Sequence, residues 1–100
     1  MSKSKYRAVR CEIDGIKFAS KKEGRRYLEL KALKEAGKIR RILYQTRWDL
    51  PAGVKYYSDF LINWEDGSET VEDVKGFKTP IYKLKKKQVE ALYGIEIIEV

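Results

Sequence analysis

Asp59, Asp73 and Lys75 are the residues whose types and spacing could do chemistry. They stand in Tyr57-Ser58-Asp59-Phe60 and Glu72-Asp73-Val74-Lys75-Gly76, two runs of strand character separated by the turn pair Asp66-Gly67. Side chains alternate along a strand, so Asp73 and Lys75 fall on one face, about 6.7 Å apart along it. With Asp59 on that face as well, two carboxylates and an ammonium converge. Such a set can hold a divalent cation and a water beside a phosphodiester, which is the equipment of metal-dependent hydrolysis.

The register of the two strands decides whether the carboxylates meet, because cross-strand partners share a face. A two-residue loop at Asp66-Gly67 sets Asp59 opposite Val74. A three-residue loop, Glu65-Asp66-Gly67, sets residue 64 opposite 68 and Asp59 opposite Asp73. Gly67 falls where the longer loop needs a left-handed residue, so the bulged loop is the expectation. Val74 opposite Asp59 would count against a cation site. Each aspartate alone reads more readily as an edge charge or a lysine partner. The pair, with Lys75 nearby and apolar neighbours on both strands, favours a site, since aspartate is disfavoured inside strands.

The surrounding elements must deliver these groups. Asp14-Gly15 between 7–13 and 16–18 predicts an N-terminal hairpin. Ser20-Lys21-Lys22-Glu23 has capping-box spacing and opens a helix that Gly37 stops. Its expected buried stripe is Tyr27, Leu30 and Leu33 with Leu28, Ala32 and Ala36, leaving Lys22, Arg25, Arg26 and Glu29 outside. Strands at 39–50, 54–64 and 68–75 follow, turning at Pro51-Ala52-Gly53. In the first, Ile42, Tyr44 and Thr46 share one face and Leu43 and Gln45 the other. Thr79-Pro80 opens a second helix, with Ile81, Leu84, Gln88, Ala91 and Leu92 expected inward, and Gly94 ends it before a strand at 95–100. The fold class expected is α/β, a mixed sheet with an αβββαβ core plus an N-terminal hairpin, in one domain over 1–100 with 1–6 loose.

Glu23 carries two readings. As a capping-box residue it reaches back to the Ser20 N–H. As a neighbour of Tyr27 and Leu30 on the packed face, it reaches the edge of an acidic strand site. Periodicity leaves both open.

Composition narrows the partners. One hundred residues with 43% apolar content can form a packed globule, and a formal charge of +7 suits an anionic partner, nucleic acid above all. The sequence has no histidine and a single cysteine, Cys11, which removes histidine-based nuclease sites, triads, disulfides and thiolate clusters. Basic clusters stand at Lys21, Lys22, Arg25 and Arg26, at Arg40 and Arg41, and at Lys83, Lys85, Lys86 and Lys87. Such runs are commonly solvated faces. The last follows the strand site by one loop, so Lys21, Lys22, Arg25, Arg26, Lys78, Lys83, Lys86 and Lys87 are the expected DNA contacts. Trp48, Tyr56, Tyr57 and Trp64 could stack on bases, although strand aromatics more often pack in a core. No apolar leader or spanning stretch is read, and the expected location is cytoplasmic.

Asp59 followed by Asp73-Val74-Lys75 resembles the PD-(D/E)XK nuclease signature. Residues 6–100 further resemble a small phage-encoded family of that superfamily, similar to the phage endonuclease I type of Holliday junction resolvase. The matching stretches are Asp14-Gly15-Ile16-Lys17-Phe18, Ser20-Lys21-Lys22-Glu23, Tyr44-Gln45, Ser58-Asp59-Phe60 and Glu72-Asp73-Val74-Lys75-Gly76-Phe77-Lys78-Thr79. The resemblance implies Mg²⁺- or Mn²⁺-dependent hydrolysis of DNA in a host cell, on branched or junction substrates. It implies Glu23, Asp59 and Asp73 as metal ligands, Lys75 as the catalytic lysine and Gln45 as a supporting residue. Two symmetric cuts at a junction imply a homodimer. The chain departs from the family pattern in carrying Ser58 before Asp59 and an aspartate at 73 where glutamate is commoner. A basic DNA-binding protein that keeps the fold without catalysis is the alternative reading.

Overall fold

Turn chemistry sets the first element. The computed structural model describes residues 9–100, and in it β1 (Cys11–Ile13) and β2 (Ile16–Phe18) form an antiparallel hairpin. Asp14 and Gly15 both take left-handed backbone, at φ 54° and 77°, as the tight hairpin turn requires. The expectation of a loose segment at 1–6, and of a strand beginning at residue 7, lies outside the described residues.

The rest follows the predicted order. Helix α1 (Lys21–Glu35) leads to β3 (Ile39–Asp49), a short 3₁₀ turn (Pro51–Gly53), β4 (Lys55–Trp64) and β5 (Glu69–Asp73). Helix α2 (Pro80–Tyr93) and β6 (Ile97–Glu99) complete the fold. The sheet order is β3-β4-β5-β6, antiparallel except for the parallel β5–β6 pair that α2 connects. The result is a mixed α/β structure with two helices, a four-stranded mixed sheet and a separate hairpin.

Apolar residues gather in two cores. Phe18, Tyr27 and Leu30 from the hairpin and α1 pack on Ile39, Ile42, Phe60 and Ile62 of the sheet. Tyr82 and Val89 of α2 pack on Tyr56, Leu61, Val71 and Ile97, with Leu50 beside them. Phe60 and Ile62 thus serve one core and Leu61 between them serves the other, as alternation requires.

Both helix faces need correction. On α1 the buried line is Glu23, Gly24, Tyr27 and Leu30, with Leu33 half-buried; Leu28, Ala32 and Ala36 are exposed. On α2 the buried residues are Tyr82 and Val89, while Ile81, Leu84, Gln88, Ala91 and Leu92 all face outward. The aliphatic count pointed to the wrong side of α2 because an aromatic dominates the contact. The Tyr82 ring lies 6.2 Å from that of Tyr56, and its hydroxyl donates to Glu99 Oε2 at 2.7 Å. That placement turns the Ile81–Leu92 stripe away from the sheet.

Candidate functional site

Glu23 reaches its position through the start of α1. Ser20 Oγ accepts the Glu23 N–H at 3.1 Å, the first half of a capping box. The second half is not made, because the Glu23 carboxylate turns inward and is only 7% exposed. Gly24 lets this turn of helix lie against the hairpin: a Cβ there would stand 2.6 Å from Cys11 Sγ and 3.1 Å from Ile13 Cδ1. The glycine beside Glu23 therefore sets how deep the carboxylate sits.

Asp59 and Asp73 are brought together by the bulged loop. Gly67, at φ 92°, donates to Trp64 O at 3.0 Å and Trp64 N–H donates to Ser68 O at 2.9 Å, closing Glu65-Asp66-Gly67 as a three-residue connection. Strands β4 and β5 then pair Phe60 with Glu72 and Asn63 with Glu69, the register that sets Asp59 opposite Asp73 when carried one step further. At that step carboxylates replace the backbone ladder. Asp59 N–H donates to Asp73 Oδ1 at 3.0 Å, and Val74 N–H donates to Asp59 Oδ2 at 2.8 Å. Gln45 Nε2 donates to Asp59 Oδ1 at 3.2 Å. Asp73 Oδ2 is fully buried and has no hydrogen-bond partner.

Gln45 adopts a left-handed φ of 51° inside β3. Residues 44 and 48 of a regular strand share a face, yet Tyr44 packs on Tyr27 of α1 while Trp48 packs on Tyr93 of α2. The opposite strand changes sides in step, Phe60 joining the first core and Tyr56 the second. The interruption lies between, at Gln45 and Asp59. Side chains other than glycine seldom accept this backbone inside a strand, and it costs on the order of 1 kcal/mol. The sheet thus switches faces at the residues that address the candidate site.

Lys75 is not on a strand. Pairing of β5 ends at Asp73, and the following loop carries Lys75, which corrects the expectation that Asp73 and Lys75 share a strand face. The Lys75 ammonium stands over the Tyr82 ring, 4.7 Å from its centroid. Lys22 Nζ donates to the Lys75 carbonyl oxygen at 3.2 Å, tying the loop to α1.

Together these elements enclose an open cleft of about 470 Å³ lined by Glu23, Asp59, Lys75, Lys22 and Phe77, among others. Asp73 lies beneath its floor, fully buried. Negative charge is crowded here. Burial, reinforced by Asp59 and Asp73 and opposed by Lys75, pushes the Glu23 carboxyl up to about 7. Burial likewise pushes Asp73 up to about 6, against the pull of Lys75 and the Asp59 N–H.

Residues 3–97 match the family described as "Protein of unknown function (DUF1064)". The chain belongs to that family. No curated protein and no solved structure matches it.

Among the described residues of this DUF1064 chain, no three acidic side chains stand close enough to enclose one ion unaided. Asp73 is turned under the floor while Glu23 stands on the helix, and Asp59 spends both oxygens on hydrogen bonds. The donor chemistry still fits a hard cation: carboxylate oxygens, one buried and unpartnered, with a glutamate that burial, reinforced by Asp59 and Asp73, pushes up to about 7. Magnesium commonly takes only one or two carboxylates and completes its shell with water and phosphate oxygens.

The expected DNA contacts divide. Lys21, Lys22, Arg25, Lys83 and Lys87 are exposed. Lys78 and Lys86 both engage Glu99, at 2.9 and 3.8 Å. Arg26 does not face solvent as predicted: its guanidinium forks onto buried Glu72, with Nε to Oε1 at 2.8 Å and Nη2 to Oε2 at 2.6 Å. The fork, led by the bonds to Glu72, holds the Arg26 pKa above its usual value. Of the four strand aromatics, Tyr56 is buried, Trp48 and Trp64 donate to Ser58 and Thr70, and Tyr57 is exposed. Sequence reasoning missed Glu72 and Tyr82. A glutamate adjacent to Asp73 in a strand with a buried face was the available signal for the first; none marked the second.

Proposed function

We propose that this chain is a Mg²⁺- or Mn²⁺-dependent endodeoxyribonuclease with a PD-(D/E)XK core, acting on branched or junction DNA. The observation that carries the reading is the meeting of Glu23, Asp59 and Lys75 in one cleft, with buried Asp73 bonded to the Asp59 N–H and its second oxygen unpartnered. The helix–three strands–helix–strand order that follows the hairpin also supports it, being the common core of the superfamily that the signature resembles.

Glu23, Asp59 and Asp73 are the residues that would hold the cation. Bound there, it would polarise the scissile phosphate and activate a water. The chain's own contributions follow from placement. The Tyr82 ring holds the Lys75 ammonium, which can offset charge growing on the phosphate. Gln45 orients Asp59, and the Asp59 N–H orients Asp73. Exposed Lys22, which lines the cleft, offers the phosphate backbone a contact. Junction resolution would call for two copies, one for each strand cut.

A second reading, DNA binding without catalysis, draws on the Asp59 carboxylate: both of its oxygens already accept hydrogen bonds that pin β4, β5 and β3 together. Incubation with four-way junctions, flaps, plasmid and single strands, in Mg²⁺, Mn²⁺ or EDTA, separates the two. Cutting that requires the cation and is lost in folded Asp73→Ala and Lys75→Ala supports the nuclease. Retarded complexes in EDTA without cutting in Mg²⁺ or Mn²⁺ support the binding protein.

A further inference from the structure

We infer that Arg26 and Glu72 are positioning residues that set the separation between Glu23 on α1 and the two aspartates, Asp59 within β4 and Asp73 at the end of β5. The inference rests on the functional reading above. Arg26 follows Glu23 by three residues, so both point from the same side of α1, one turn apart. Glu72 immediately precedes Asp73, and it pairs with Phe60, the neighbour of Asp59. The fork therefore grips the last rung of the β4–β5 ladder, just before carboxylates take over from backbone.

The form of the contact suits a gauge. Two parallel bonds from one planar guanidinium, at 2.8 and 2.6 Å, fix both distance and rotation, which a single lysine contact cannot do. Arg26 Nη1 also holds Glu29 at 3.1 Å, so the guanidinium is anchored from its own helix as well. The Glu72 side chain is only 4% exposed and that of Arg26 23%. This fork and the Lys22 bond to the Lys75 carbonyl both join α1 to β5 and its following loop.

Stability does not explain the pair. Replacing a buried ion pair with apolar residues of similar volume is commonly neutral or stabilising, whereas removing one partner is costly. A fold needing only adhesion between α1 and β5 would be served as well by a leucine and a methionine. Two charges beside a crowded acidic cleft make sense where the spacing of Glu23 from Asp59 and Asp73 matters.

The test uses the full chain carrying Arg26→Met with Glu72→Leu, and separately Arg26→Lys. Urea unfolding reads stability, and calorimetric titration with Mn²⁺ in the absence of DNA reads the site; single-turnover cutting is a third readout. The double variant is expected to unfold at the wild-type midpoint or above it, while Mn²⁺ affinity falls about 10–100-fold, the usual cost of losing a residue that orients a ligand. Arg26→Lys keeps the charge without the fork and is expected to show the same loss. Wild-type Mn²⁺ affinity in either folded variant overturns the inference while leaving the nuclease reading intact. A loss of affinity matched by a lowered urea midpoint in both variants overturns it too, by making the pair structural. A wild-type chain that binds no Mn²⁺ and cuts no DNA overturns the functional reading, and this inference with it.

Discussion

Replacing Glu23 with glutamine should stabilise the protein at pH 8 in the absence of divalent cations. The Glu23 carboxyl ionises near 7 in the folded chain, against about 4.5 when unfolded. Below pH 4.5 it is protonated in both states and costs nothing. Between 4.5 and 7 the unfolded chain releases the proton first, so stability falls as pH rises, and above 7 the penalty is constant. A displacement of that size corresponds to at most about 3 kcal/mol at 1.36 kcal/mol per unit, and water entering the open cleft that Glu23 lines lowers the figure. Asp73, pushed up to about 6, acts with the same sign between pH 3.8 and 6. Urea unfolding of wild type and Glu23→Gln at pH 4.5, 6 and 8 reads the effect. The expected result is near-equality at pH 4.5 and a gain of about 1–3 kcal/mol for the variant at pH 8. Saturating Mg²⁺ should raise wild type towards the variant, by about 2.7 kcal/mol at 100 times its dissociation constant. A variant less stable than wild type at pH 8, with an unchanged pH slope, would refute the idea that burial beside other carboxylates makes the Glu23 charge costly.

Three further outcomes follow from individual contacts. Gly24→Ala should cost about 1–3 kcal/mol by calorimetry, because its Cβ would press on Cys11 Sγ, and the double change with Cys11→Ala should recover part of the loss. Gln45→Val should destabilise by at least about 1 kcal/mol in urea, since a β-branched residue tolerates the left-handed backbone poorly, whereas Gln45→Gly should cost less than Val. Tyr82→Phe removes the hydroxyl that donates to Glu99, and its thermal midpoint should fall by the equivalent of about 1 kcal/mol, with the Lys75 ammonium still over the ring.

Local signals were the legible ones. Asp14-Gly15, Ser20, Gly67, Thr79-Pro80 and Gly94 each act through their own backbone or the next few residues, and each turn or cap lies where the sequence puts it. The register of β4 and β5 was legible for the same reason, being set by one three-residue loop. Helix faces were harder. Two stripes on α2 differ by one position, and the choice depended on the Tyr82 hydroxyl finding Glu99 and its ring covering Tyr56, both tertiary events. The face switch at Gln45 carried no compositional mark, since glutamine rarely takes a positive φ. Arg26 read as solvent-facing because its partner lies 46 residues away. At the site, residue types were readable, but not that Lys75 leaves the strand or that Asp73 lies under the floor.

Incision of a four-way junction in Mg²⁺ by wild type and by Lys75→Ala, with circular dichroism confirming that both are folded, decides between nuclease and binding protein. Wild type is expected to cut, with EDTA abolishing the cutting, and the variant to lose at least about 100-fold, the scale at which removing a group that stabilises transition-state charge is felt. Equal cutting by the two proteins, or none by wild type in either Mg²⁺ or Mn²⁺, would contradict that expectation.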